Sequence, residues 1–179
     1  MAKEFAGHGI GFAFVYTREA HPGEAYTCQT SAEQKLRHAR DMVKRWKIER
    51  TMLVDDLDGT LHRAYGSLPN MTYIVSTAGT VIYRASWTDA RSIRLALDEI
   101  IYERGLRRAG TRITPFYVEW MPQRRNDRAT FLEGLIDDVG PRAVEEFIAA
   151  VAHTSGESGA KVVRDWWAEK QAELEVPAD

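Results

Sequence analysis

The stretch Ala64 to Tyr83, AYGSLPNMTYIVSTAGTVIY, constrains the fold more than any other part of the chain. Leu68-Pro69 fixes the backbone just ahead of Met71-Thr72-Tyr73-Ile74-Val75, whose β-branched, aromatic and apolar residues suit a buried strand. Ala78-Gly79 supplies a tight turn, and Val81-Ile82-Tyr83 leads back antiparallel. A proline at the mouth of a strand is a candidate for the cis form, because the X-Pro bond has only a weak trans preference.

Around this hairpin the chain alternates strands and helices. Met1 to His8 reads as the last turns of a helix ended by Gly9 and Gly11, and Gly11 to Tyr16 as a short apolar strand. A polar turn around Pro22 follows. Thr30 and Ser31, with Glu33 and Gln34 three positions on, form a capping box for a helix. Leu36, Ala39, Met42, Val43 and Trp46 recur along it at helical spacing and predict one buried face. Thr51 to Val54 is a third apolar run. After the hairpin, a helix from about Thr88 carries Ile93, Leu97, Ile100 and Ile101 on its apolar face, with Gly105 as its stop. Residues 1–105 thus run β-α-β, hairpin, helix, which is most of a thioredoxin-like domain.

Residues 106–179 read as a basic linker around one extended apolar segment, Ile113 to Trp120, and a helical extension packed on the domain or on a partner. Asn126-Asp127 caps one helix, and Gly140-Pro141 breaks and restarts the next. Val144, Phe147, Ile148 and Val151 form a stripe, Thr154 to Gly159 reads as a loop, and Val162, Val163, Trp166 and Trp167 lie on a last helix.

The bulk properties exclude several classes. A formal net charge of -2 leaves no electrostatic footprint for nucleic acid. No apolar run approaches the roughly 20 residues of a membrane helix, and the first residues lack a signal-peptide layout. The single cysteine, Cys28, excludes an internal disulfide and points to a reducing, cytoplasmic compartment. The five histidines fall at no metal-ligand spacing, so neither a metal nor another cofactor is expected.

The string Tyr16-Thr17-Arg18-Glu19-Ala20-His21-Pro22, a helix, and then LVDDLDGTLHRAYGSLPNMTYIV resembles the iodothyronine deiodinase family and its bacterial peroxiredoxin-like relatives, over roughly Lys3 to Ile101. The resemblance implies a thioredoxin fold that reduces its substrate with a selenocysteine or cysteine regenerated by thiols. It implies Tyr16, Glu19 and His21 at the active site, the latter two handling protons, and Pro69 as the cis proline. The chain departs from the family at one place. The β-α unit that carries the reactive residue, and whose strand is central in the sheet, is expected ahead of Gly11 and is absent. Omitting a central strand orphans two rows of backbone N–H and C=O groups. A partner chain or the segment Ile113–Trp120 is expected to fill the gap, and sequence upstream of Met1 is the other candidate.

Glu19 and His21 lie two apart, on one face of extended backbone, and suit an acid/base pair at a pocket edge or an exposed polar turn. Cys28 lies just ahead of a helix start, which can stabilise a thiolate, but it does not occupy the family's cysteine position. Asp56-Leu57-Asp58-Gly59-Thr60-Leu61 matches the first motif of haloacid-dehalogenase-type phosphatases, although Asp58-Gly59 is more simply a turn. Trp120, Trp166 and Trp167 are candidate partner contacts. The adjacent pair points about 100° apart on a helix, so one is expected in the core and the other outside it. The chain reads as a deiodinase-like module acting as an accessory or binding subunit of a larger redox assembly. The alternatives are a thiol- or selenol-dependent oxidoreductase whose reactive residue lies upstream or on a partner, and the phosphatase.

Overall fold

The computed structural model describes residues 1–114 and 127–175. They form a mixed α/β structure of two compact units, residues 1–17 with 35–114 and residues 18–34 with 127–175. These units differ from the segments 1–105 and 106–179 read from the sequence, because the polar stretch after the first strand groups with the helical tail.

In the first unit, β1 (Ala13–Tyr16) and β2 (Thr51–Val54) pair in parallel, with Ala13 opposite Thr51 and Tyr16 opposite Val54. A parallel pair needs a crossover, and α2 (Ala32–Arg45) supplies it. The helix starts on the expected capping box: Ser31 Oγ accepts the Gln34 N–H at 3.2 Å, and Gln34 Oε1 accepts the Thr30 N–H at 2.8 Å. A second, separate sheet pairs β3 (Thr72–Val75) with β4 (Val81–Ala85) in antiparallel register. Its turn closes through the Ser76 N–H to the Thr80 carbonyl, 2.8 Å, with Gly79 at φ 82°. Between the sheets in sequence, the short helix α3 (Thr60–Ala64) follows β2. After β4, Asp89 caps α4 (Ala90–Arg108) by accepting the Ser92 N–H and hydroxyl at 2.8 and 2.7 Å. The first helix, α1 (Ala2–Ala6), is tied to α4 by a two-pronged pair from Arg94 to Glu4, 2.5 and 2.8 Å, with the Arg94 guanidinium over the Phe5 ring.

The expected stop at Gly105 is overturned: α4 runs through it. A glycine inside a helix costs about 1 kcal/mol against alanine, which packing overrides. The stop comes at Gly110, at φ 77°, where the Thr111 N–H reaches back to the Leu106 carbonyl.

The expected buried face of α2 is also overturned. Ala39 is buried, but Leu36, Met42 and Trp46 are 40%, 37% and 59% exposed. A sheet of two strands roughly 5 Å apart is too narrow to cover a stripe four turns long. The buried set of this unit is correspondingly small: Phe5, Tyr16, Ala39 and Leu97 are its buried hydrophobics.

The second unit is helical. Asp127 caps α5 (Arg128–Val139) as expected, accepting the Thr130 N–H at 2.9 Å, while Asn126 lies outside the described residues. Gly140, at φ 113°, ends that helix with its N–H on the Ile136 carbonyl, 2.9 Å. Then α6 (Arg142–Leu174) begins. The loop expected over Thr154 to Gly159 shrinks to one residue, Gly156, whose φ of 75° and ψ of 174° break α6 into two helical stretches. Leu132, Val144, Ile148, Val163 and Trp167 close the core of this unit. The tryptophans divide as the 100° offset requires: Trp167 is buried, and Trp166 is half-buried and stacks on it at 6.4 Å. Trp120 and most of the Ile113–Trp120 segment lie outside the described residues.

Candidate functional site

The stretch 18–34 carries three of the expected site residues, and its fold is set by the helical tail. The Gly23 N–H bonds the Tyr26 carbonyl at 3.0 Å, and the Ala25 N–H bonds the Val139 carbonyl at 2.9 Å. Gly23 is required at this approach, since a Cβ there would stand 2.7 Å from the Val139 carbonyl oxygen. The Glu24 carboxylate accepts the Arg142 N–H, 3.2 Å from each oxygen, and so caps α6 from 118 positions away.

Within this frame, burial pushes the Glu19 carboxyl up to about 7, and Gln29 Nε2 donates to its Oε1 at 3.4 Å. The His21 ring meets Phe147 edge-on at 5.3 Å, and its Nδ1 is buried without a hydrogen-bond partner among the described residues. Burial pushes His21 down from its ordinary value, and the charge of Glu146 opposes that shift. A carboxyl that exchanges its proton near neutrality is suited to general acid/base work. Cys28 is exposed. Tyr16 and Pro69 belong to the other unit. Tyr16 is buried at the end of β1, where its carbonyl accepts the Asp55 N–H at 3.0 Å. Pro69 is exposed in a turn three residues ahead of β3. The cis expectation for Pro69 is overturned: no cis peptide bond occurs among the described residues. A proline in a turn ahead of the strand takes the trans form that X-Pro bonds ordinarily prefer.

The raised Glu19 carboxyl has a consequence for stability. The folded chain keeps this proton where the unfolded chain has released it, so stability falls as pH rises from the ordinary carboxylate range towards 7. Glu19→Gln is therefore expected to unfold at a higher temperature than the parent at about pH 8 and at nearly the same temperature at about pH 4. Thermal unfolding at both values checks this, and parallel curves would sink it.

The Asp55-Asp56-Leu57-Asp58-Gly59-Thr60 segment is a second candidate. Asp55 Oδ1 accepts the N–H groups of Asp56 and Leu61 at 2.9 and 3.0 Å, and Oδ2 accepts that of His62 at 2.9 Å. Asp56 Oδ1 accepts the Thr60 N–H at 2.8 Å, and Gly59 takes φ 71°. The turn does satisfy its own backbone, but through Asp55 and Asp56; Asp58 instead lends its carbonyl to Arg63. Lys35, buried, donates to the Asp56 carbonyl at 2.6 Å. Of the two aspartates of the phosphatase-like motif, Asp56 thus turns one carboxylate oxygen to the first turn of α3. No three His, Cys, Asp or Glu side chains gather to hold a metal ion among the described residues, and none of the described helices is long and apolar enough to cross a membrane.

Sequence reasoning missed two of these groups. Asp55 had a usable signal, an aspartate between a strand and a helix start. Glu24 had none, because its partner is more than a hundred residues distant. Set against protein-family models, curated proteins and solved structures, the chain matches none of them.

Proposed function

We propose that this chain is a thioredoxin-like module, related to the deiodinases, that serves as an accessory or binding subunit of a larger redox assembly and accepts a strand from a partner. One observation carries the reading: among the described residues the strands occur as two separate pairs, parallel β1-β2 and antiparallel β3-β4. In a thioredoxin-like sheet such pairs would flank a central strand, and among the described residues no strand joins these two pairs. Tyr16 turns its carbonyl to the β2 side, so Ala13 and Val15, on the alternate positions, turn their peptide groups to the open edge of β1. Open edges recruit strands. Val15, Leu53, Val75, Val81 and Ile82 on these strands stay exposed, and covering them would return about 25 cal/mol for each Å² of apolar surface.

Hydrogen exchange with native mass spectrometry of the untagged protein tests the reading. The expected result is a fixed-stoichiometry complex with a different polypeptide in which the Ala13 and Val15 amides exchange slowly. A monomer in which those two amides are already protected would overturn it. A second reading, an oxidoreductase whose thiol or selenol lies on another chain or upstream, draws support from the Glu19 carboxyl near 7, the range a proton-transfer group needs. The phosphatase reading draws none from Asp56 of its motif, whose Oδ1 already accepts the Thr60 N–H.

A further inference from the structure

We propose that the outer face of α2 is a docking surface for the phosphate backbone of a nucleic acid duplex, held through Arg37, Arg40 and Lys44 without reading its sequence. The formal net charge of -2 conceals two unlike halves. Over its described residues the first unit carries 16 Lys and Arg against 10 Asp and Glu, and the second carries 6 against 14. The excess is densest from Lys35 to Arg50, where 7 basic residues stand against 2 acidic ones. At physiological salt a charge acts over about 8 Å, so this local excess, and not the total, decides what the surface attracts.

Arg37, Arg40 and Lys44 are three and four positions apart, so they share one face of α2. They stand roughly 100–160° around the helix from the buried Ala39, and all three are exposed. None of them forms an ion pair with the described residues. Asp41, the one carboxylate of α2 beyond its first turn, pairs with none of the three. Elsewhere in the unit, Lys3, Arg94 and Arg107 are held by Glu49, Glu4 and Glu103. The row on α2 thus keeps its charge for a ligand from outside.

The same face favours a duplex over other anionic surfaces. A helix resting on a bilayer sinks its apolar face below the headgroups. On α2 the middle of that face is turned to the protein, with Ala39 buried and Val43 half-buried. A duplex instead offers one phosphate per strand about every 3.4 Å along its axis. Three cations spread over about 10 Å of straight helix can each reach a separate one. The two guanidinium groups can each donate two N–H groups to one phosphate, a match that a flexible acidic peptide does not need. The row is independent of strand acceptance, since it uses neither open sheet edge.

The test follows the anisotropy of a fluorescent DNA duplex of about 20 base pairs titrated with the full chain at about 50 to 200 mM salt. Contacts to three phosphates predict that the logarithm of the binding constant falls with that of salt at a slope of about -3, a loss of about 40-fold across the range. Arg40→Ala is expected to bring the slope to about -2, and alanine at all three positions to abolish binding. A duplex of scrambled sequence should bind equally well. Alanine is the best helix former and all three positions are exposed, so the variants keep their fold, which circular dichroism checks. No binding by about 100 µM chain at the lowest salt, or a slope that the triple variant leaves unchanged, overturns the proposal. So does tighter binding to phosphatidylserine vesicles, which would make the occupant a lipid surface, or to polyglutamate, which would make it an acidic protein.

Discussion

Trp167→Ala is expected to cost the helical unit about 3–5 kcal/mol, the range for deleting a buried tryptophan. Trp167 is 6% exposed and packs in one cluster with Leu132, Val144, Ile148 and Val163, so its loss opens a cavity where α5 meets both stretches of α6. Trp166→Ala is the control: that ring lies at the edge of the core beside Glu133 and Lys170, and its loss should cost clearly less. Urea unfolding of both variants followed by circular dichroism measures the difference. Equal costs would mean that the pair acts as one stacked unit and that burial is not what separates them.

Asp55→Ala is expected to cost about 1–3 kcal/mol, because the buried His62 N–H loses its acceptor, while the more exposed N–H groups of Asp56 and Leu61 can turn to water. The same carboxylate has a pH signature. Burial pushes it up, but the N–H groups of His62, Leu61 and Asp56 outweigh burial and hold it below the ordinary carboxylate range. A carboxyl lowered by folding gives stability that is complete above its unfolded value and is lost as pH falls through the folded one. Acid unfolding of the parent should therefore steepen below about pH 4, and Asp55→Asn should flatten that limb while unfolding more easily at neutral pH. An unchanged acid limb would show that other carboxylates carry it.

Local signals in the sequence were read well where the structure depends on neighbours. Ser31 with Gln34, Asp127 with Thr130, and Gly79 in the hairpin each do what their spacing predicts, because a cap or turn is decided within a few residues. Burial was read less well, since it depends on what lies opposite. The stripe on α2 has the right period to be covered, yet only two strands lie in its sheet. Gly105 and Gly110 look alike as stop signals, and only the left-handed backbone at Gly110 separates them. For the candidate site, Glu19 and His21 were legible as residues. Their environment was not, because Phe147 and Glu146 come from a helix more than 120 residues later.

The grouping of residues 18–34 with the helical tail gives the chain an order of events during synthesis. About 90 residues separate Gln34 from the start of α5, and at about 5–20 residues per second that distance takes on the order of 5–20 s to translate. Through that interval the loop holding Glu19 and His21 is out of the ribosome without Phe147 to pack on or Arg142 to anchor Glu24. The Glu19 proton, held by burial in the finished protein, is free to leave in the nascent one. The raised proton affinity of Glu19 is thus acquired last, when the C-terminal helices arrive.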